Sequence, residues 1–144
     1  MTTDRPQAPG YLANLMARLF HEVSGQGLAP LGIEPEQFPV LIELWFGPGV
    51  SRTSLCASQE AGPEVIDSLV RGLADSGLIA SFPADPAEPL ILTDKARSLR
   101  DPALAAARRA NQAAAGALGE AEMEQFVSMM NRVIDALKRQ AISR

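Results

Sequence analysis

The chemistry open to this chain is limited first by its single cysteine, Cys56, and its single histidine, His21. One cysteine excludes an internal disulfide framework and a multi-cysteine zinc site, and one histidine excludes a histidine-rich metal cluster. A Ser-His-Asp triad would have His21 as its only base. The sequence also contains no paired nucleophile and base, no glycine-rich phosphate loop and no metal-binding spacing. We therefore expect a protein that is not an enzyme, with no catalytic residue, metal or cofactor.

Charge and composition narrow the remaining classes. The 144 residues include 13 basic and 17 acidic side chains, for a net charge of -4, and 47% of them are hydrophobic. This balance favours one compact domain and opposes both disorder and a generally basic nucleic-acid-binding surface. Residues 1–10 are polar and contain no apolar run typical of a signal peptide, and no stretch is apolar enough to span a bilayer. These features predict a soluble, cytoplasmic, mostly helical protein.

Helical spacing of apolar residues recurs along most of the chain. It predicts a first helix from Tyr11, a second that begins at Pro35, and a short third helix after the N-cap Ser51. A fourth helix is predicted to begin at Pro63, and Gly77 follows it where a left-handed C-cap is expected.

The period of the pattern changes after the fourth helix. Residues 78–82 and 90–92 are short apolar runs on either side of a proline-rich tip, which predicts a two-stranded β-hairpin. Thr93 is suited to cap a long alanine-rich helix, and a last helix is predicted from Glu120 to about Ile142. The predicted fold class is mainly α: a winged helix-turn-helix, made of helices plus a short β-hairpin wing, with long N- and C-terminal helices.

Four segments, in order along the chain, resemble the multiple antibiotic resistance regulator (MarR) family. They correspond to the start of that family's second helix, the start of its helix-turn-helix, the end of its recognition helix and the stretch after its wing. The segments are residues 32–41 (GIEPEQFPVL), 50–56 (VSRTSLC), 69–73 (LVRGL) with 77–78 (GL), and 92–97 (LTDKAR). The resemblance covers the chain from about Tyr11 to Leu137, and the order and spacing of the four segments are more specific than any one of them.

The resemblance implies a homodimer whose first and last helices interlock and whose recognition helices enter successive major grooves of a palindromic double-stranded DNA operator. After a flexible N-terminal lead at 1–10, it implies one MarR-like domain at 11–144. Within that domain, dimerisation helices at 11–31 and 94–144 would flank a winged helix-turn-helix lobe at 35–93. Family members are mostly repressors that small aromatic or phenolic ligands release from DNA. We therefore expect a ligand-responsive, DNA-binding transcriptional regulator of bacterial type.

The resemblance also assigns residues to two expected sites. The expected DNA contacts are Ser51, Arg52, Thr53, Pro63, Glu64, Asp67, Ser68 and Arg71. Among these, Arg52 is the expected phosphate contact, and Arg71 is also spaced to pair with Asp67 four residues earlier. The expected ligand contacts are Phe20, His21 and Trp45. An ordinary structural role remains an alternative for each ligand contact.

The expected reading lobe departs from the family in its charge. Residues 51–92 contain two basic and six acidic side chains, a net charge of -4, and the wing tip at 84–89 lacks the arginine that the family usually has there. Because lysine and arginine contacts to phosphate supply most non-specific affinity, we expect weak DNA binding with a shallow salt dependence. Glu64 or Asp67 can still accept a hydrogen bond from a cytosine amino group.

Positive charge is concentrated instead on the helix after the wing. Its basic residues are Lys95, Arg97, Arg100, Arg108 and Arg109. They either contact flanking DNA backbone or form a solvated helix face.

Two other functions remain open. A degenerate winged-helix dimer would bind a ligand or protein partner and would not bind DNA, which the acidic lobe favours. A thiol sensor would use Cys56, although a free cysteine on a short helix also fits the role of a small buried residue.

Overall fold

The computed structural model describes the backbone of residues 5–142 and the side chains of residues 5–141. Residues 1–4 of the expected lead therefore lie outside the described residues. The chain divides into two compact units, one ending at Ala107 and the other beginning at Arg108.

The first unit contains the predicted succession of helices. Its elements are α1 (Pro9–Leu28), α2 (Phe38–Phe46), α3 (Arg52–Gln59), α4 (Pro63–Asp75) and the first part of α5 (Asp94–Ala115). Helix α1 begins two residues before the predicted start at Tyr11. The second predicted helix starts at Pro35 as a 3-10 turn, Pro35–Gln37, before α2 follows.

Local sequence signals account for the helix ends in the helix-turn-helix. Ser51 caps α3, because its Oγ accepts a hydrogen bond from the Ser54 N–H at 3.1 Å and the Ser54 Oγ accepts one from the Ser51 N–H at 2.9 Å. Pro63 occupies the first position of α4, where a missing N–H costs no helical hydrogen bond. Gly77 follows α4 with a φ of 74°. The predicted caps at Ser51 and Gly77 are therefore confirmed.

The predicted β-hairpin wing is not confirmed. Among the described residues there is no strand; the segment after α4 makes two isolated antiparallel bridges, Ser51 to Pro89 and Ile79 to Leu92. The Ala80 N–H donates to the Ile91 carbonyl at 2.9 Å. Three prolines lie between the predicted strands and bring no N–H to a ladder, so pairing does not extend into a hairpin. We refer to residues 78–92 as the wing segment.

The core of the first unit is aliphatic, as the low aromatic content predicts. Its largest fully buried side chains in α2, α3, α4 and the wing segment are Val40, Leu41, Leu55, Ile66, Val70, Leu73, Leu78 and Ile79. The α5 residues Ala96, Ala103 and Ala106 are also buried in this core. Their small side chains let the backbone of α5 approach its neighbours closely.

The second unit comprises the end of α5 and helix α6 (Glu120–Ile142), whose bounds are those predicted. Glu120 and Glu122 lie in the first turn of α6 and Arg139 in the last, which matches the helix dipole at both ends. Large apolar side chains exposed on α6 are Val127, Met129, Val133, Ile134 and Leu137. No helix among residues 5–142 is long and apolar enough to cross a membrane.

Candidate nucleic-acid interface and ligand cavity

Helix α4 is amphipathic and presents one exposed surface. Its residues Ile66, Val70 and Leu73 are fully buried in the core. The exposed residues of the helix body, which we call the outer face of α4, are Glu64, Val65, Ser68 and Arg71. Pro63 is exposed at its N-terminus and Asp75 at its C-terminus. Four of the five α4 residues expected to contact DNA, all but Asp67, are therefore accessible on this helix.

Asp67 is partly buried and its carboxylate is engaged by Arg52. The Arg52 Nη1 lies 3.0 Å from the Asp67 Oδ1, with 8% of the Arg52 side chain and 36% of the Asp67 side chain exposed. The Arg52 Nη2 donates to the Pro83 carbonyl oxygen. Its guanidinium carbon lies 4.0 Å from the centroid of the Phe82 ring. Arg52 is thus an internal ion-pair partner in this structure and not the exposed cation expected for a phosphate contact, because the start of α3 faces α4 and the wing segment.

Arg71 is exposed and lies over the same aromatic ring. Its guanidinium carbon is 4.0 Å from the Phe82 centroid. The alternative pairing of Arg71 with Asp67 is not the one observed, since Asp67 pairs with Arg52. A guanidinium over an aromatic ring gains about 0.5–1 kcal/mol at exposed sites, which restricts where Arg71 points.

The other two expected contacts at the start of α3 differ in accessibility. Ser51 is buried and its hydroxyl serves as the N-cap. Thr53 is exposed, and its backbone N–H donates to the Pro86 carbonyl at 3.0 Å. The Thr53 side chain is therefore accessible, whereas that of Ser51 is used within the fold.

The tip of the wing segment is exposed and acidic. Residues 84–89 are all exposed and include Asp85 and Glu88 but no basic residue. The Asp85 carboxylate accepts from the Ala87 N–H at 2.9 Å, which stabilises the turn. The tip therefore repels phosphate rather than attracting it.

The basic residues after the wing segment have local partners where they fall in the first unit. Lys95 donates to the Ser76 carbonyl at 2.9 Å, Arg97 pairs with Asp94 at 2.8 Å, and Arg100 contacts Asp101 at 3.2 Å. Arg108 and Arg109, in the second unit, are exposed. Such exposed pairs contribute little and are easily exchanged for another anion.

A cavity of about 450 Å³ lies beside Trp45 within the first unit. It is lined by Leu44, Trp45, Leu90, Ile91, Leu92, Arg97 and Arg100. The Trp45 ring is fixed by a hydrogen bond from its Nε1 to the Ala96 carbonyl at 3.0 Å. The lining combines five apolar side chains with two arginines, and the volume is in the range of small-molecule sites.

Of the three residues expected to contact ligand, Trp45 alone lines this cavity among the described residues. Phe20 is partly buried on α1. His21 is exposed, with its Nδ1 3.6 Å from the Glu36 Oε1. Phe20 and His21 are not among the residues that line this cavity, so their ligand role remains a prediction.

Cys56 is a free thiol that is partly buried against the core. That packing is typical of a small apolar residue, and a redox role for Cys56 remains a hypothesis. Within residues 5–142, no group of three or more His, Cys, Asp or Glu side chains is arranged to hold a metal ion.

Sequence reasoning missed two residues of the candidate interface. Val65 is 55% exposed on α4 although it is a large apolar residue. Its position could have been inferred from helical spacing, because Ile66, Val70 and Leu73 already define the buried side. Phe82 lies under two arginines that are distant in sequence, and no local signal indicates that arrangement.

Comparison with known proteins identifies similar transcriptional repressors. No family model matches the chain. An HTH-type transcriptional repressor of Mycobacterium tuberculosis is 26% identical over 127 residues, which are 86% of this chain and 91% of the relative. A repressor of Mycobacterium bovis matches with the same identity and coverage.

Solved structures similar to the chain are those of MarR-family proteins. A Mycobacterium tuberculosis MarR family protein in complex with DNA has a TM-score of 0.66 at 26% identity, over 90% of this chain and 98% of that one. The same protein has been solved with p-aminosalicylic acid, at a TM-score of 0.64 and 26% identity over 88% of this chain and 98% of that one. The DNA complex of Staphylococcus aureus MepR has a TM-score of 0.83 at 19% identity, over 92% of this chain and 99% of that one, which supports the fold alone. The predicted resemblance to the MarR family is therefore confirmed: the similar solved structures are those of MarR-family regulators with the same mainly helical fold, and the curated relatives are HTH-type transcriptional repressors.

Proposed function

We propose that this chain is a homodimeric transcriptional repressor that binds a palindromic operator and is released by a small aromatic acid. The observation that carries the proposal is the exposed outer face of α4, on a lobe whose fold matches a relative solved with DNA. In this proposal, residues 35–93 form the DNA-reading lobe. The helices at 11–31 and 94–144 form the dimerisation part.

The proposed homodimer is supported by apolar surface on both dimerisation segments. On α1, Tyr11, Leu19 and Val23 are exposed, and on α6 the exposed set includes Val133 and Leu137. Large apolar side chains exposed on each of these helices are what a protein–protein interface would cover. A second copy of the chain is the partner that the family resemblance implies.

DNA contact is proposed for the outer face of α4, with α4 in the major groove. Glu64 can accept from a cytosine amino group, Arg71 can donate to guanine or phosphate, and Val65 can contact a thymine methyl group. Ser68 and Thr53 supply hydroxyls that suit base edges or phosphate. Because Arg52 is used internally, the electrostatic share of binding is expected to be small.

A small aromatic carboxylate is the proposed ligand of the cavity beside Trp45. The aromatic ring would pack on Leu44 and Trp45, and the carboxylate would exchange with Asp94 or Asp101 at Arg97 and Arg100. The relative solved with p-aminosalicylic acid supports this ligand class.

The cavity also suggests how ligand binding would be transmitted to the DNA-reading lobe. Leu90, which lines the cavity, donates its N–H to the carbonyl of Val50 at 2.8 Å, and Val50 directly precedes the N-cap of α3. A ligand that moves the wing segment would thereby act on the helix-turn-helix. Such a ligand shifts DNA binding only if it prefers one of the two arrangements.

The deciding experiment is retention of fragments of the source genome by the purified, ligand-free protein at two salt concentrations, with and without salicylate. The proposal predicts one selectively retained fragment, an affinity that falls modestly as salt rises, and release by salicylate. Retention without release would reject the ligand part of the proposal and leave the DNA-binding part standing.

The second candidate function is a dimer that does not bind DNA. The observation that favours it is the acidic reading lobe, with a net charge of -4 over residues 51–92. This candidate predicts no fragment retained even at low salt, while salicylate still binds. Replacing Glu64 with lysine would then leave partner binding unchanged, because the outer face of α4 would have no role.

A further inference from the structure

We propose that Arg52 is a positioning residue that keeps Arg71 available to DNA by occupying the carboxylate of Asp67. The inference rests on the proposed DNA-binding function and refines it. Arg52 and Arg71 are the only basic residues between positions 51 and 92. If Arg52 acts inside the fold, Arg71 is the single cation that this lobe presents to a phosphate or base.

The contacts of Arg52 leave no room for a direct phosphate contact. Its side chain reaches three groups at once: the Asp67 carboxylate through Nη1, the Pro83 carbonyl through Nη2 and the Phe82 ring through the guanidinium face. The planar fork of arginine suits this set of partners, whereas a lysine ammonium could not satisfy all three. Arg52 is 7% exposed. A phosphate would have to displace the wing segment to reach it.

The spacing on α4 explains why Asp67 must be occupied. Asp67 and Arg71 are four residues apart on one helix, which is the spacing at which a carboxylate and a guanidinium pair. Pairing of these two would neutralise the one exposed cation of α4. Arg52 instead takes the Asp67 carboxylate, and Arg71 lies 4.0 Å from the Phe82 ring centroid.

The backbone around Arg52 holds the wing segment in the same place. The Thr53 N–H donates to the Pro86 carbonyl at 3.0 Å, and the Leu90 N–H donates to the Val50 carbonyl at 2.8 Å. Ser51 bridges to Pro89. Residues 50–53 thus anchor a proline-rich segment that has no strand ladder of its own, and this anchoring fixes Phe82 beneath both guanidiniums.

The test compares salt dependence across a set of variants, with a duplex taken from the retained genomic fragment as the probe. Removing one contact between a cationic side chain and a phosphate lowers the slope of log affinity against log salt by about 0.9. Arg71→Met is expected to lower the slope by that amount per subunit. Arg52→Met is expected to lower it equally, because Asp67 then captures Arg71. The double variant Arg52→Met with Asp67→Asn is expected to recover the wild-type slope.

The recovery separates positioning from direct contact. If Arg52 touched phosphate itself, adding Asp67→Asn would not restore the slope, and the proposal would be wrong. An unchanged slope in Arg52→Met would also overturn it, since Arg71 would then need no protection. Arg52→Lys serves as the conservative control and is expected to keep most of the slope, because an ammonium still occupies Asp67.

Thermal unfolding keeps the inference testable where Arg52→Met does not fold. Asp67→Asn is expected to keep the wild-type slope but to lower the melting temperature by several degrees, because a buried guanidinium loses its counter-ion. An unchanged melting temperature in Asp67→Asn would overturn the internal ion pair. If the wild type does not bind the duplex at the lowest salt, the proposed function fails, and the melting temperatures still decide whether Arg52 and Asp67 are coupled.

Discussion

Val65 offers the sharpest test of whether α4 reads DNA. Its side chain is 55% exposed on the outer face of α4, between Glu64 and the buried Ile66. Replacing Val65 with alanine removes two methyl groups that do little for the core, so the free energy of unfolding should change by less than about 0.5 kcal/mol. Any large decrease of DNA affinity in this variant would therefore come from the interface.

The expected decrease in affinity can be worked from the exposed surface. A thymine methyl group that covers roughly 50 Å² of the exposed valine would contribute about 1 kcal/mol at about 25 cal/mol per Å². That energy is about a fivefold change in Kd for each recognition helix. For the two independent helices of the proposed homodimer, the two effects combine to about 30-fold.

The assay is fluorescence anisotropy on a duplex taken from the retained genomic fragment, with thymines replaced in turn by uracil. The wild type should bind more weakly when the contacted thymine is replaced, and Val65→Ala should be insensitive to the same replacement. Val65→Thr, which keeps one methyl group and nearly the same volume, is the matched control with an intermediate effect. A Val65→Ala variant that binds as tightly as the wild type and still discriminates thymine from uracil would refute the reasoning.

Three further predictions concern the cavity, the α3 cap and the dimer. Arg100→Met should weaken salicylate binding about tenfold in calorimetry, because it removes a charge-assisted hydrogen bond to the ligand. The stability of the protein should be nearly unchanged, because the pair between Arg100 and Asp101 is exposed. An unchanged salicylate affinity would contradict the cavity assignment. Ser51→Ala should lower the free energy of unfolding, measured in urea, by about 1–2 kcal/mol. The control Thr53→Ala should have little effect, because Thr53 contacts the wing segment through its backbone. Equal decreases in the two variants would reject the capping role of Ser51. Leu137→Glu should convert the proposed dimer to a monomer in analytical ultracentrifugation, because it places a charge on the exposed apolar surface of α6. A sedimenting mass equal to that of the wild-type dimer would exclude that surface from the interface.

The parts of the fold that the sequence predicts are those with local causes. Ser51 caps α3 because a hydroxyl three residues before a free N–H can accept from it, and Pro63 begins α4 because its own missing N–H is not needed there. Gly77 adopts a positive φ that other residues avoid. Each of these signals depends on a few neighbouring residues, so each can be recognised without the tertiary structure.

The features that the sequence does not predict depend on residues that meet only in the fold. The partner of Arg52 is fifteen residues away on another helix, and the ring that lies against Arg52 and Arg71 comes from the wing segment. A lone arginine after an N-cap is expected to be an exposed cation, because arginines are mostly solvated in folded proteins. Two apolar runs predict a hairpin wing, but the prolines between them limit its backbone pairing.

Counting charges in the sequence therefore misjudges how the lobe would bind DNA. Removing the Arg52–Asp67 pair from the count leaves the net charge unchanged, yet it reduces the cations available to DNA from two to one. A single arginine in the reading lobe supplies little of the non-specific attraction that usually brings a repressor to DNA. Most of the discrimination would then have to come from base contacts by Glu64, Val65 and Ser68, which require α4 to enter the groove at a fixed depth. A protein of this kind would bind random DNA poorly. Its affinity for the operator would fall sharply when α4 is displaced. Small movements transmitted from the cavity through Leu90 to Val50 would therefore be sufficient to release it from DNA.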